Sequence, residues 1–185
     1  MVQPIYLYGS EVLRKRAEEA DISEKEQIKE LVTDLKDTLA EADGCGLAAP
    51  QIGVSKRVII VDGTVMTDVY DYLKDFKRTL INPVVIEESK QTCEYNEGCL
   101  SVPGIFADVR RPSSMTVEYY NENLEKVTET FDKFACRMIQ HEMSHLDGNL
   151  FIDRVAPIRK KMITKKLANI SKGKVSAHYK TKLIK

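Results

Sequence analysis

The stretch QHEMSHLDG, residues 140–148, sets His141 and His145 four apart with Glu142 directly after the first. On a helix these imidazoles stand one turn apart on one face, so both can reach a single metal ion. Glu142 is then well placed for a metal-bound water. The same face runs back through Met138 and Phe134 at helical spacing. Apolar side chains beside a metal make a natural floor for a hydrophobic substrate pocket. Such a motif also occurs by chance on surface helices. Here two of the chain's three histidines occupy an otherwise apolar segment, FACRMIQHEMSHL. Burying them with a carboxylate and no ion would be costly.

Two imidazoles do not complete a metal site. Downstream, Asp147 follows His145 too closely to share its face, Asp153 lies further on, and His178 sits in a Lys-rich tail expected to be mobile. The better third ligand is upstream, in EYNEGCLSVPG, where Cys99 ends a strand in a Gly-rich, turn-like setting. A thiolate is a strong ligand for a divalent transition metal, and Gly98 lets backbone approach closely. The alternative for Cys99 is a small buried hydrophobe, and Cys45, Cys93 and Cys136 are read that way. In a third stretch, GCGLAAPQIG (44–53), small residues bring backbone close to something, and Gln51 offers an uncharged amide donor. A donor near an activated water is what a developing oxyanion needs. A tight packed turn would look similar.

Several elements must position these residues. SEVLRKRAEEA reads as a first helix with Ser10 as N-cap. Ser23 and Glu26 have capping-box spacing ahead of a second. Ile28, Leu31, Val32, Leu35 and Leu39 then form one apolar stripe that Gly44 and Gly46 terminate. RVIIVD (57–62), TLINPVVIEES (79–89) and SMTVEYYNENLEKVTETF (114–131) are β-branched and aromatic, the last with a hairpin turn near Asn121–Asn123. Residues 63–78 carry no clear signal. Asp132 is placed to cap the helix carrying the histidines, and a last amphipathic helix starts near Pro157. The expected fold class is α+β, with mainly antiparallel sheets packed around a central helix that carries the His-Glu-x-x-His motif. One domain over residues 1–185 is expected, with a basic helix and tail from about residue 157.

Twenty-eight basic residues balance 28 acidic ones, so nothing in the net charge points to a nucleic-acid binder. The basic segments RKKMITKK and KGKVSAHYKTKLIK are ordinary for a solvated helix face and frayed tail, or suit contact with an acidic surface such as ribosomal RNA. No apolar run of signal-peptide or membrane-span length is visible, and a cytoplasmic location is expected. In a reducing compartment four cysteines argue for metal or thiol chemistry rather than disulfides. A monomer is the default.

Together, GCGLAAPQ (44–51), EGCLS (97–101) and QHEMSHLDG (140–148) closely resemble the peptide deformylase family, in its order and at similar separations. VLRKRAEE, INPVV and GNLFIDRV extend the likeness from about Ile5 to Val155. The resemblance implies removal of the formyl group from the formyl-methionine of new polypeptides in a bacterial-type cytoplasm, releasing formate. It implies Cys99, His141 and His145 as metal ligands, Glu142 as general base and then acid, and the Gln51 amide and Leu100 N–H as oxyanion donors. Ferrous iron is the expected metal, with zinc, nickel or cobalt able to substitute. Phe134, Met138 and Tyr95 are candidates for the wall of a methionine pocket, and Gly46 and Cys45 for the substrate cleft. Glu97 and Arg111 correspond to positions that pair near the site in relatives, as a structural salt bridge. Departures are Ser144 for a common aspartate, Gly9-Ser10 for a common Pro-Asp turn, and Cys45 for an aliphatic residue. The competing readings are a zincin-like peptidase and a metal-binding relative without activity.

Overall fold

The structure is a computed structural model describing residues 1–185. A short strand β1 (Ile5–Tyr6) precedes helix α1 (Lys25–Ala42), β2 (Gly46–Ala48), β3 (Val58–Asp62), β4 (Lys77–Glu88), β5 (Thr92–Cys99), β6 (Val102–Pro112), β7 (Ser114–Tyr120) and β8 (Lys126–Asp132). Helices α2 (Lys133–Leu146) and α3 (Pro157–Ile170) follow, and β9 (Thr181–Lys182) closes the chain. Strands β2-β3-β4-β7-β8 form one antiparallel sheet, β5 and β6 a separate antiparallel hairpin, and β1 pairs with β9 in parallel.

The Val-Ile-Ile-Val run of β3 is buried on both faces, which explains its lack of polar alternation. Val58 and Ile60 meet Ile28, Val32, Leu35 and Leu39 of α1. Ile59 and Val61 meet Cys136, Met138, Ile139 and Leu146 of α2. The hairpin rests its inner residues Val102, Ile105, Ala107 and Val109 on Ile163, Leu167 and Ile170 of α3. The α2 helix is therefore core on one side and free to present its motif on the other.

Several expectations about helix ends are corrected. The first helix is a single 3-10 turn, Glu11–Arg14. Its would-be continuation gives its backbone groups to distant partners: the Ala17 N–H bonds Leu146 C=O, and Glu18 exchanges bonds with Ser55 and Arg57. Ser10 caps nothing there; its Oγ accepts from the Ile184 N–H. The Ser23–Glu26 box does not form, since α1 starts at Lys25 and Ser23 binds Asp21 instead. What ends α1 is Asp43 in the left-handed region (φ 54°), while Gly46 opens β2. Asp132 occupies the N-cap of α2 without a side-chain bond. The 63–78 segment resolves into two 3-10 turns, Gly63–Met66 and Asp71–Leu73, followed by the start of β4. The tail is not frayed: β9 docks on β1, and Val175 and Leu183 pack on the apolar cluster under α3.

Candidate metal centre

Cys99, at the end of β5, meets His141 and His145 of α2, with one ligand atom from each lying within 4.8 Å of the others. Cys99 Sγ is 3.4 Å from His145 Nε2. The other sequence candidates lie elsewhere. Asp147 pairs with Arg57, Asp153 with Arg14, and His178 stands 3.8 Å from Asp43.

A carboxylate sets the orientation of the first imidazole. His141 Nδ1 is 2.8 Å from Glu97 Oε1, which leaves Nε2 for the centre. Glu97 also accepts from Arg111 Nε (2.8 Å), Arg111 Nη2 (2.9 Å) and Arg137 Nη1 (2.9 Å). The expected Glu97–Arg111 pair is thus part of a four-residue buried cluster that grips a histidine. Arg137 was missed in the sequence, although an arginine four residues before His141 in an apolar helix needs a buried acid. Ser144 accepts from Arg111 Nη1 at 2.9 Å and donates to the Gln140 carbonyl at 2.9 Å, so an uncharged hydroxyl meets the guanidinium where the resemblance leads one to expect an aspartate.

The electrostatics favour a cation. Burial opposes charging His141, yet Cys99, Glu97 and Glu142 together raise it to about 10, so a metal bound there would take the place of a proton. Burial, with repulsion from His141 and Arg111, holds His145 well below its ordinary value, so it stays neutral, as a ligand must be. Burial pushes Glu142 up to about 7, with His141 opposing and Glu97 adding to the rise. Glu142 Oε2 and His145 Nδ1 are buried without a partner. Two imidazoles, a thiol and a carboxyl with an unpartnered oxygen fit a divalent metal site with three protein ligands and an open position.

The glycines of the GCG turn make space for particular side chains. A Cβ on Gly46 would lie 2.6 Å from Glu142 Oε1, and one on Gly44 2.8 Å from Leu100 Cδ1. Gly46 therefore clears room for the carboxylate. Gly98, expected to open the backbone towards the metal, lies under the Phe106 ring. Cys45, between the two glycines, packs, as Phe134 and Met143 do, against the core cluster that includes Met138 and Ile139. Burial, then Glu142, pushes its thiol up to about 12, so it remains a neutral apolar group.

Gln51 is buried in a 3-10 turn, Ala49–Ile52. Its Oε1 accepts from the Ala48 N–H at 2.9 Å, which directs Nε2 towards Ser101 Oγ (3.1 Å) and Cys99 Sγ (3.5 Å). Ser101, inside the EGCLS motif, is the partner that sequence reading passed over. Leu100 lies outside both hairpin strands, and no turn or loop hydrogen bond uses its N–H. On the apolar side Phe134 stacks on Tyr70 (4.8 Å between centroids) and meets Tyr95 edge-on at 5.4 Å, with Met138 buried in the neighbouring core. Tyr70 comes from the segment whose sequence carries no clear signal.

The family model for polypeptide deformylase matches residues 2–161. The peptide deformylase of Christiangramia forsetii is 41% identical over 97% of this chain and 95% of its own length. That of Fusobacterium nucleatum is 42% identical over 93% and 94%. Among solved structures, peptide deformylase from Thermus thermophilus superposes with TM-score 0.83 at 34% identity, covering 94% of this chain and all of that one. A Plasmodium falciparum peptide deformylase gives 0.82 at 34% identity, covering 91% and 95%. With a family model spanning most of its length and relatives of this identity, the chain belongs to the polypeptide deformylase family.

Proposed function

We propose that this enzyme removes the N-formyl group from formyl-methionine at the start of newly made polypeptides, releasing formate and a free α-amine. The observation that carries this reading is the convergence of a thiol, two imidazoles, a buried carboxyl and an amide donor. Cys99, His141 and His145 would hold one divalent ion, ferrous iron first and zinc, nickel or cobalt as substitutes, supplying Lewis-acid activation of water and the formyl oxygen. Glu142 takes the proton of the attacking water and passes it to the departing amine, a double task suited to a carboxyl held near neutrality. The Gln51 amide gives up its long contact to Cys99 and, with the Leu100 N–H, donates to the developing oxyanion. Phe134, Met138 and Tyr95 wall the methionine pocket, with Gly46 and Cys45 along the cleft beside Glu142. A structural metal site would need neither Glu142 nor Gln51, which argues against the inactive alternative.

The test is formate release from formyl-Met-Ala-Ser by protein purified anaerobically with ferrous iron. Stoichiometric iron with no formate released would overturn the proposal.

The substrate emerges from the ribosome, and α3 offers a surface for that contact. Lys160, Lys161, Lys165 and Lys166 are exposed, and Ile158 and Met162 are 74% and 67% exposed. No helix is long and apolar enough to cross a membrane. Reversing those four lysine charges is expected to abolish salt-sensitive co-sedimentation with ribosomes; unchanged co-sedimentation would sink the idea.

A further inference from the structure

The region that matches the family model ends at residue 161, and the chain beyond α3 folds back onto the catalytic loop. Its return path is fixed by backbone bonds. The Ile5 N–H donates to Lys180 C=O (2.9 Å), the Leu7 N–H to Lys182 C=O (2.9 Å) and the Glu11 N–H to Ile184 C=O (3.1 Å). Ser10 Oγ accepts from the Ile184 N–H at 3.2 Å. Gly9, at φ 101°, lies where a Cβ would come within 2.9 Å of the Ser171 Cβ. The Gly9-Ser10 departure from the usual Pro-Asp turn is therefore the seat of this tail: glycine for its conformation and close approach, serine for its acceptor.

Docked in this way, the tail delivers Tyr179 to Leu100, whose carbonyl accepts from the Tyr179 hydroxyl at 2.7 Å. The next residue is held at two further points. The Ser101 carbonyl accepts from the Tyr8 N–H (2.8 Å), and the Ser101 hydroxyl from Gln51 Nε2 (3.1 Å). The two groups assigned to the oxyanion thus both adjoin this anchored pair: the Leu100 N–H lies across the Leu100 Cα from the carbonyl that Tyr179 holds, and the Gln51 amide is bonded to the Ser101 side chain.

We propose that Tyr179 is a positioning residue: its hydroxyl holds the Leu100 carbonyl and so restrains the Leu100 backbone, which sets the aim of the Leu100 N–H at the reacting oxygen. The C-terminal tail thereby completes the active site. This inference rests on the deformylase reading. A donor to a developing oxyanion contributes in proportion to its pre-set aim, so a loosened loop lowers turnover rather than substrate binding.

The test is Tyr179→Phe in the full chain, assayed with formyl-Met-Ala-Ser. Loss of one neutral hydrogen bond translates to about a three- to tenfold lower kcat. KM, iron per chain and Tm are expected to stay at wild-type values. An unchanged kcat overturns the proposal. So does a fall in Tm or iron content with unchanged kcat per bound iron, which is what a merely structural tail would give. Should Tyr179→Phe hold less metal, kcat is measured per bound iron after anaerobic reloading. A value about three- to tenfold below wild type then supports the positioning role, and a wild-type value overturns it. Absence of formate release by the wild-type protein would instead be a failure of the deformylase reading itself.

Discussion

Glu142→Gln is expected to retain one metal ion per chain and to lose about 10²- to 10⁴-fold in kcat, the usual worth of a positioned general acid–base group. The substitution keeps the side chain's volume in the space that Gly46 leaves for it. What it removes is the capacity to accept a proton and return it. Glu142 is 4% exposed, and one of its oxygens has no partner within the chain. Burial has already raised it to about 7, so the ionised and protonated forms lie close in free energy. An amide has no such pair of states. Because Glu142 stands outside the Cys99–His141–His145 triad, iron content measured by atomic absorption should not change. A variant with iron bound and kcat within tenfold of wild type would remove Glu142 from the proposed chemistry.

Glu97→Gln is expected to be the most destabilising single change near the site. Glu97, Arg111 and Arg137 have side chains 4%, 3% and 2% exposed, so their charges are compensated by one another rather than by water. The neutral amide leaves two buried guanidinium groups facing each other across a lost carboxylate. Breaking a buried pair in this way costs about 3–5 kcal/mol. That is a large share of the roughly 5–15 kcal/mol that holds a domain together. Tm should fall by about 10 °C. Metal affinity should fall about 10- to 100-fold, since His141 loses the carboxylate that orients it. Thermal unfolding and competition with a chelator measure the two effects separately. Adding Arg137→Met to Glu97→Gln removes one stranded charge and should restore part of the lost Tm. An unshifted Tm in the single variant would show that the cluster does not carry the weight assigned to it.

Much of this arrangement is legible in the sequence, and the unread part has a common physical cause. The α1 stripe, β3, β4, the β7–β8 hairpin and the start of α3 at Pro157 follow from periodicity, β-branched residues and turn chemistry, all of which act locally. His141 and His145 share a face because one helix carries both, and the thiol of Cys99 is the donor the structure brings to them. Reading failed where distant groups decide. Residues 15–20 have helical composition, but their backbone hydrogen bonds go to Leu146, Ser55 and Arg57. Ser10 looks like a cap and instead receives the far end of the chain. The tail looks like a mobile run of lysines because its docking depends on β1 and Leu100, which nothing in its own composition reveals. Arg137 lies in the apolar segment ahead of the histidines and Ser101 in EGCLS, yet their partners lie on other elements.

The β5–β6 hairpin and the five-stranded sheet share no strand-to-strand hydrogen bond, yet each side contributes to the centre: Cys99 and Glu97 from the hairpin, His141 and His145 from the helix packed on the sheet. An ion held by these three ligands would act as a rivet between two separately laced pieces of the molecule. In the proposed reaction, the side chains that would hold the ion for catalysis would then also tie the hairpin to the sheet. Cohesion and catalysis in this enzyme would rise and fall together with metal occupancy.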